Sequence, residues 1–521
     1  QGCIAILDVP PSTRMSKLLF SGLFFLLIAL GSSASIQCQT SQVVEALVEA
    51  IIQKKQTAVE LARIIDVKSI DASISVNEQI LHRYYWSNFG ANTDRSYTTT
   101  IINLALLYDQ TNVAEILIKK GVNLLIKDNR GNTALHIASC VGHKTVVSMI
   151  LKKSKPQDID QRNHEGLTAL LMAVHYERAD VVEELLKNFA NPLITDKYGD
   201  TALHLAIAQA LGAEVISMII DAVRQQTINL LRQNKITVLC RARDVIREVI
   251  SEFINLQNRT GKTALMIAVT DMNCIVELLL ENGADHMIVD SDGNTALGAA
   301  SMFARDENFI SPLLIAVRKQ MINNLRQNVM GGPSVLSGPN LVENDRDRDM
   351  IRDSMLEFIN CRNHRGRTAL HLAFTFQDCP VDTVKNLLKH DADPRIPDNY
   401  GKTVLDLAIK KKQHDAITEI VNAVRNMPKL HFLQNGMTPP LYSGSINRSK
   451  HHHLPSGIIS VIFTDDMIKQ WKRSAENALK WAMSTKRDDL VDSLKIICDD
   501  ITETGQPIDS SKQLPSVVND C

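Results

Sequence analysis

Between Gly131 and Leu151 the sequence reads GNTALHIASCVGHKTVVSMIL, placing a Thr, two His and a Cys within a dozen positions. These are residue types that can make an active site, with an imidazole serving as a base or as a metal ligand. Thr133 and His136 stand three residues apart, and the same spacing joins Thr201 to His204 and Thr368 to His371. Any such chemistry depends on what positions these residues, and that is a pattern larger than the stretch itself.

DNRGNTALHIA at Asp128 returns as NHEGLTALLMA at Asn163, DKYGDTALHLA at Asp196 and NRTGKTALMIA at Asn258. DSDGNTALGAA at Asp290, NHRGRTALHLA at Asn363 and DNYGKTVLDLA at Asp398 continue the series. In each copy the Asp or Asn and the Gly three positions on specify a tight turn, the Gly taking a positive φ. The following Thr is an N-cap, so Thr133, Thr168, Thr201, Thr263, Thr295, Thr368 and Thr403 each start a short helix. Leu135 and Ala138 share one face of that helix, and a second amphipathic helix such as VVEELL closes the unit. One unit cannot bury its apolar face alone, so the units must stack.

Where copies sit side by side the spacing is about 33 residues, the ankyrin period. The sequence resembles the ankyrin-repeat family from roughly Asp94 to Arg425, departing from it in having TAL where the family usually has TPL. The resemblance implies an all-α solenoid of stacked helix pairs with β-turn fingers. It also implies that His136, His204 and His371 are structural, bonding within and between turns. Leu171, Met266, Gly298 and Asp406 hold the equivalent positions in other copies, the mark of a packing slot rather than a base or ligand.

A longer period is superimposed. AVRQQTINLLRQN at Ala222 recurs as AVRKQMINNLRQN at Ala316, and the segment from Arg243 to Leu265 is echoed from Arg346. Long helical insertions are therefore expected at 221–257 and 317–360, with apolar stripes at Val223, Ile228 and Leu231 and at Val245, Val249 and Phe253. Val329 to Asp349 is Gly/Pro-rich and then charged, which predicts an exposed loop. Residues 35–93 are expected to form an N-terminal helical cap, and 471–503 a degenerate C-terminal repeat. Between array and cap, 426–470 reads as a linker, and 504–521 as a frayed tail.

At the amino end, residues 1–14 are expected to be a gene-model extension ahead of Met15. Lys17, the apolar run Leu18 to Leu30, and the small residues Ser32 and Ala34 fit a secretory leader at 15–34. The apolar run falls short of the roughly 20 residues of a membrane span, and no transmembrane segment is expected in the mature chain. Two sequons, at Asn258 and Asn447, are candidate glycosylation sites. The nine cysteines include no CxxC pair, so neither a disulfide framework nor a zinc site is indicated. His451, His452 and His453 have no further ligand at a defined spacing.

A net charge of −1 over 521 residues argues against a nucleic-acid partner. No P-loop, HExxH helix, GxSxG elbow or kinase set occurs, so no catalytic residue, metal or cofactor is assigned. The expected function is a non-enzymatic scaffold that binds an unidentified protein through the concave face and turn tips. Candidate contacts are Arg130, Glu165, Tyr198, Arg259, Ser291, Arg365 and Tyr400, of which Arg and Tyr are the types that carry interface energy. Two other expectations are a secreted toxin or host-directed effector, resembling the latrotoxins in plan only, and a cytosolic adaptor.

Overall fold

The structure is a computed structural model and describes residues 33–65, 74–77, 96–233, 239–271, 273–303, 310–329, 345–375, 381–427 and 465–503. Residues 1–14, most of the expected leader, linker residues 428–464, Asn447, His451–His453, loop residues 330–344 and the tail 504–521 lie outside the described residues. The chain divides into two compact units, Gln1–Arg259 and Thr260–Cys521.

In the first unit the helices come in pairs. They are α1 (Ser33–Ile52) with α2 (Thr57–Ile64), α3 (Ile101–Leu107) with α4 (Thr111–Lys120), and α5 (Ala134–Val141) with α6 (Lys144–Leu151). After the single turn α7 (Pro156–Ile159) come α8 (Ala169–His175) with α9 (Ala179–Lys187), and α10 (Ala202–Ala208) with α11 (Ala213–Gln233). First helices pack on first helices (α1, α3, α5, α8, α10), and second on second, giving two layers. Ala105, Ala138, Ala173 and Ala206 are buried where neighbouring first helices meet, because a methyl group lets backbones approach closely. Val146, Val147 and Ile150 seal α6 from the other layer.

The second unit repeats the plan. It pairs α13 (Ala264–Asp271) with α14 (Asn273–Glu281), α15 (Ala296–Phe303) with α16 (Ile310–Val329), and α18 (Ala369–Ala373) with α19 (Val381–Lys389). Then follow α20 (Val404–Lys410) with α21 (His414–Asn426) and α22 (Asp465–Ser484) with α23 (Asp488–Glu503).

The two expected insertions begin inside helices. α11 runs unbroken through residue 221 and α16 through 317; α12 (Leu239–Ile254) then packs on α11, and α17 (Asp345–Ile359) on α16. Gln226 Nε2 donates to Ala190 O at 3.0 Å, and its counterpart Gln320 Nε2 donates to Ala284 O at 2.7 Å, so the sequence duplication is also a structural one. The expected stripes shift. Val223 is buried, but Thr227 rather than Ile228 follows it into the core, its hydroxyl donating to Val223 O at 2.8 Å. On α12, which packs along α11, the buried residues are Ile250, Phe253 and Ile254, with Val245 and Val249 half-buried.

One part of the expected N-terminal helical cap is not helical. Ile74–Asn77 (β1) pairs antiparallel with Ser96–Thr99 (β2), in register Ile74↔Thr99 to Asn77↔Ser96. Tyr97, Thr98 and Thr99 are β-branched or aromatic and suit a pleated strand. α1 and α2 pack on α3 and α4 and bury Leu47, Val48 and Ile51.

At the other end α22 and α23 take the place of a further repeat. Trp471 is buried, His414 stacks on Trp481 with centroids 5.3 Å apart, and Arg487 donates to Thr418 Oγ1 at 3.0 Å. This cap begins at Asp465, six residues before the expected 471, because Asp465–Gln470 already continues the helix.

Candidate protein-binding site

Each repeat opens with a finger whose conformation its first residue dictates. Asp128 Oδ1 accepts the N–H groups of Arg130 at 2.9 Å and Asn132 at 2.7 Å. Asn163, Asp196, Asp290, Asn363 and Asp398 do the same in their own turns. This Asx geometry explains why only Asp or Asn stands there. Gly131 adopts φ +80°, and a Cβ there would meet His164 N of the next finger at 2.9 Å. Both the turn and the stacking therefore require Gly.

Successive fingers are tied main chain to main chain, the second residue of one donating to the third-residue carbonyl of the one before. In the first unit His164 N–H reaches Arg130 O at 2.9 Å, Lys197 reaches Glu165 O at 3.3 Å and Arg259 reaches Tyr198 O at 2.9 Å, while Asn129 of the first finger reaches Thr98 O of strand β2 at 3.0 Å. In the second unit Ser291 reaches Thr260 O at 3.1 Å, His364 reaches Asp292 O at 3.1 Å and Asn399 reaches Arg365 O at 3.0 Å. The ladder thus gathers Arg130, Glu165, Tyr198 and Arg259 on one edge of the first unit, and Ser291, Arg365 and Tyr400 on one edge of the second. It also places Thr260 and Asp292, exposed and absent from the candidate list, at the third position occupied elsewhere by Arg130, Glu165, Tyr198, Arg365 and Tyr400.

Side chains reinforce the ladder. Asn163 Nδ2 donates to Asn132 Oδ1, and Asn363 Nδ2 to Asn294 Oδ1, each at 2.8 Å. Asn258, the described sequon, donates through Nδ2 to Asp200 Oδ1 at 2.9 Å, so the nitrogen a glycan would occupy is engaged in the stack. Lys127, Arg162 and Arg362, each just before the Asp or Asn, reach the matching main-chain carbonyl of the next repeat, those of Arg162, Thr195 and Pro397 respectively.

The candidates differ in freedom. Tyr198 is 60 % exposed and Tyr400 72 %, Arg259, Ser291 and Arg365 are exposed, and Arg130 is half-buried. Glu165 is ion-paired with Lys197, whose ammonium also lies 5.0 Å from the Tyr198 ring centroid. Glu165 holds the Lys197 pKa above its ordinary value.

The Thr–His pairs occupy a different place. Thr133 Oγ1 lies 2.8 Å from His136 Nδ1, and Thr133 N–H donates to the same nitrogen at 3.2 Å. His136 Nε2 lies 3.1 Å from Leu167 O. A carbonyl only accepts, so Nε2 carries the ring proton and Nδ1 accepts. His371 repeats this with Thr368 and with Lys402 O at 3.1 Å, and Thr201 Oγ1 lies 2.8 Å from His204 Nδ1. Burial pushes the His136 and His371 pKa values down to about 4, holding both rings neutral. The His136 and His371 rings each join their own helix cap to the following finger. His136 on α5 and His204 on α10 are separated by the packing of α8 between them. Among the described residues, no group of three or more His, Cys, Asp or Glu converges as a metal site would require.

A family model for ankyrin repeats, in the form "Ankyrin repeats (3 copies)", matches residues 70–163, 151–234, 219–324 and 341–428. The chain belongs to the ankyrin-repeat family. Similar ankyrin-bearing proteins include neurogenic locus notch homolog protein 1 of Danio rerio, 32 % identical over 125 residues, covering 24 % of this chain and 5 % of the relative. The NF-kappa-B p105 subunit of Gallus gallus is 36 % identical over 112 residues, covering 21 % and 11 %. NF-kappa-B inhibitor zeta of Mus musculus is 23 % identical over 280 residues, covering 52 % of this chain and 33 % of the relative. The chain therefore spans a third or less of the length of these curated relatives. The ankyrin repeat domain of Bcl-3 resembles 56 % of this chain over 99 % of its own, with TM-score 0.38 and 22 % identity. Ankyrin repeats are protein–protein interaction scaffolds and in general non-enzymatic modules. No described helix is long and apolar enough to cross a membrane.

Proposed function

We propose that this protein is a non-enzymatic scaffold whose finger tips and adjoining first helices bind a partner protein. One observation carries the reading: the finger main chain is locked by a hydrogen-bonded ladder while the residues at its apex change from copy to copy. Arg130, Glu165, Tyr198, Thr260, Asp292, Arg365 and Tyr400 occupy one structural position, with a different side chain in each successive copy. A rigid backbone presenting varied side chains binds without a large ordering cost, and Tyr and Arg are the residues that dominate such contacts. The Thr–His pairs are spent within the array and are not part of the binding surface.

The test is partner capture by the chain carrying Arg130→Ala, Tyr198→Ala, Arg365→Ala and Tyr400→Ala together. Loss of capture with an unchanged unfolding transition supports the reading, and undiminished capture overturns it. Export through the leader at 15–34 belongs to the same proposal. Amino-terminal sequencing of protein recovered from culture medium should begin after Ala34; an intact Met15 end retained inside cells contradicts export.

A further inference from the structure

Some finger-edge cations are paired with carboxylates, and others, such as Lys127 and Arg162 in the first unit, are held by main-chain carbonyls. In the first unit Lys197 pairs with Glu165 on the neighbouring finger, and on the outer layer Lys144 and Lys187 share Glu183. In the second, Arg365 and Lys402 stand exposed on adjacent fingers, and neither is joined to a carboxylate among the described residues.

Two further cations are fixed beside them by neutral oxygens. The Arg362 guanidinium donates to Gly366 O and Pro397 O, both at 3.0 Å, and to Asn399 Oδ1 at 3.2 Å. From the cap, Arg473 donates to Gly401 O at 2.9 Å. Asp398 lies among them, but its side chain is only 2 % exposed and already occupied. It accepts Tyr400 N–H and Lys402 N–H, each at 2.9 Å, and stands 3.7 Å from Arg367 Nε. Exposed Asp292 marks the limit of the basic strip on the preceding finger. Exposed Asp466, which accepts from Gln470 Nε2 at 3.2 Å, stands on the cap side of the strip. Tyr400, 72 % exposed, stands in the same turn as Lys402.

Cations held by carbonyls keep their charge and are already oriented, so an incoming carboxylate gains charge-assisted hydrogen bonds without displacing an existing ion pair. We propose that this edge, centred on Arg365, Tyr400 and Lys402 and flanked by Arg362 and Arg473, docks an Asp- and Glu-rich segment of a partner polypeptide. The inference rests on the scaffold reading and gives it a partner chemistry.

The test titrates the full chain into a short fluorescein-labelled peptide of Asp, Glu and Leu, read by anisotropy. Controls are the same peptide with Asn and Gln in place of the acids, and a single-stranded RNA. The expected result is saturable binding of the acidic peptide alone, weakening as salt rises. Arg365→Glu and Lys402→Glu should each weaken it by about tenfold or more, whereas Arg259→Glu in the first unit should not. Both substituted side chains are exposed, and circular dichroism confirms retained fold. Absence of saturation, equal binding of the Asn/Gln peptide, tighter binding of RNA, or no loss in the two variants would each overturn the inference. A partner protein retained equally by the unchanged chain and by both variants overturns it too, yet leaves the scaffold reading standing.

Discussion

Thr133 Oγ1 and His136 Nδ1 lie 2.8 Å apart, and the His136 ring reaches from its own helix cap to Leu167 O of the next finger. A pair that could have been a nucleophile and its base is a bolt between repeats. The bolt works only while the ring is neutral, because a protonated Nδ1 would confront the Thr133 N–H it now accepts.

Acid should therefore loosen the array. The folded pKa values of His136 and His371 are about 4, below the roughly 6.5 of an unfolded chain. As pH falls below about 6.5 the unfolded chain takes up the protons first, so stability present at neutral pH is lost progressively down to about 4. Each pH unit in that window costs on the order of 1.4 kcal/mol per ring. Urea unfolding at pH 7 and pH 5 measures the slope, and His136→Leu, copying Leu171 of the neighbouring repeat, should make it shallower. An equal slope in that variant contradicts the role.

Glycine with positive φ, at the C-cap of α4 (Gly121) or in a finger (Gly131), serves purposes that substitution can separate. Gly121 and Gly131 both have positive φ, but a Cβ at Gly121 meets nothing within 4 Å whereas one at Gly131 strikes His164. Gly121→Ala should cost about 1 kcal/mol from backbone strain alone. Gly131→Ala should cost more, by about 1 kcal/mol or above, since the next finger must shift. Thermal unfolding of the two variants makes the comparison.

The long insertion helices are anchored by corresponding aromatics. Phe253 on α12 and Phe358 on α17 are both fully buried, and Phe358 meets His286 edge-on at a centroid distance of 4.8 Å. Phe253→Ala and Phe358→Ala should each cost about 3 to 5 kcal/mol. Calorimetry showing either change near zero would mean that the helix is peripheral to the array.

Asn363 holds its own turn through Oδ1 and the preceding repeat through Nδ2. Asn363→Asp keeps the first set of bonds and loses the second, so it should destabilise by about 1 to 3 kcal/mol, as a lost buried donor does. Chemical denaturation of that variant provides the value.

The repeats were legible because each copy spells its own turn and cap locally: Asp128, Gly131 and Thr133 act within six residues of one another. The staples were not, because each joins residues about one repeat apart to a main-chain carbonyl, an acceptor every residue carries. Arg362 reaches Pro397 O and Arg178 reaches Cys140 O, and no side-chain partner in the sequence announces either contact. The register of the finger ladder was likewise hidden. Arg259 and Ser291, expected at the turn tips, stand at the second position of their fingers, and Thr260 and Asp292 at the third. The β1–β2 pairing is not legible in the sequence because Ile74–Asn77 and Ser96–Thr99 are only four residues each.

Hydrogen–deuterium exchange of the full chain, with and without its captured partner, tests the central claim most directly. The account predicts slowed exchange in peptides spanning 128–132, 196–200, 363–367 and 398–402, where the finger amides lie. Slowed exchange confined to the second helices of the pairs, with the fingers unaffected, would contradict it.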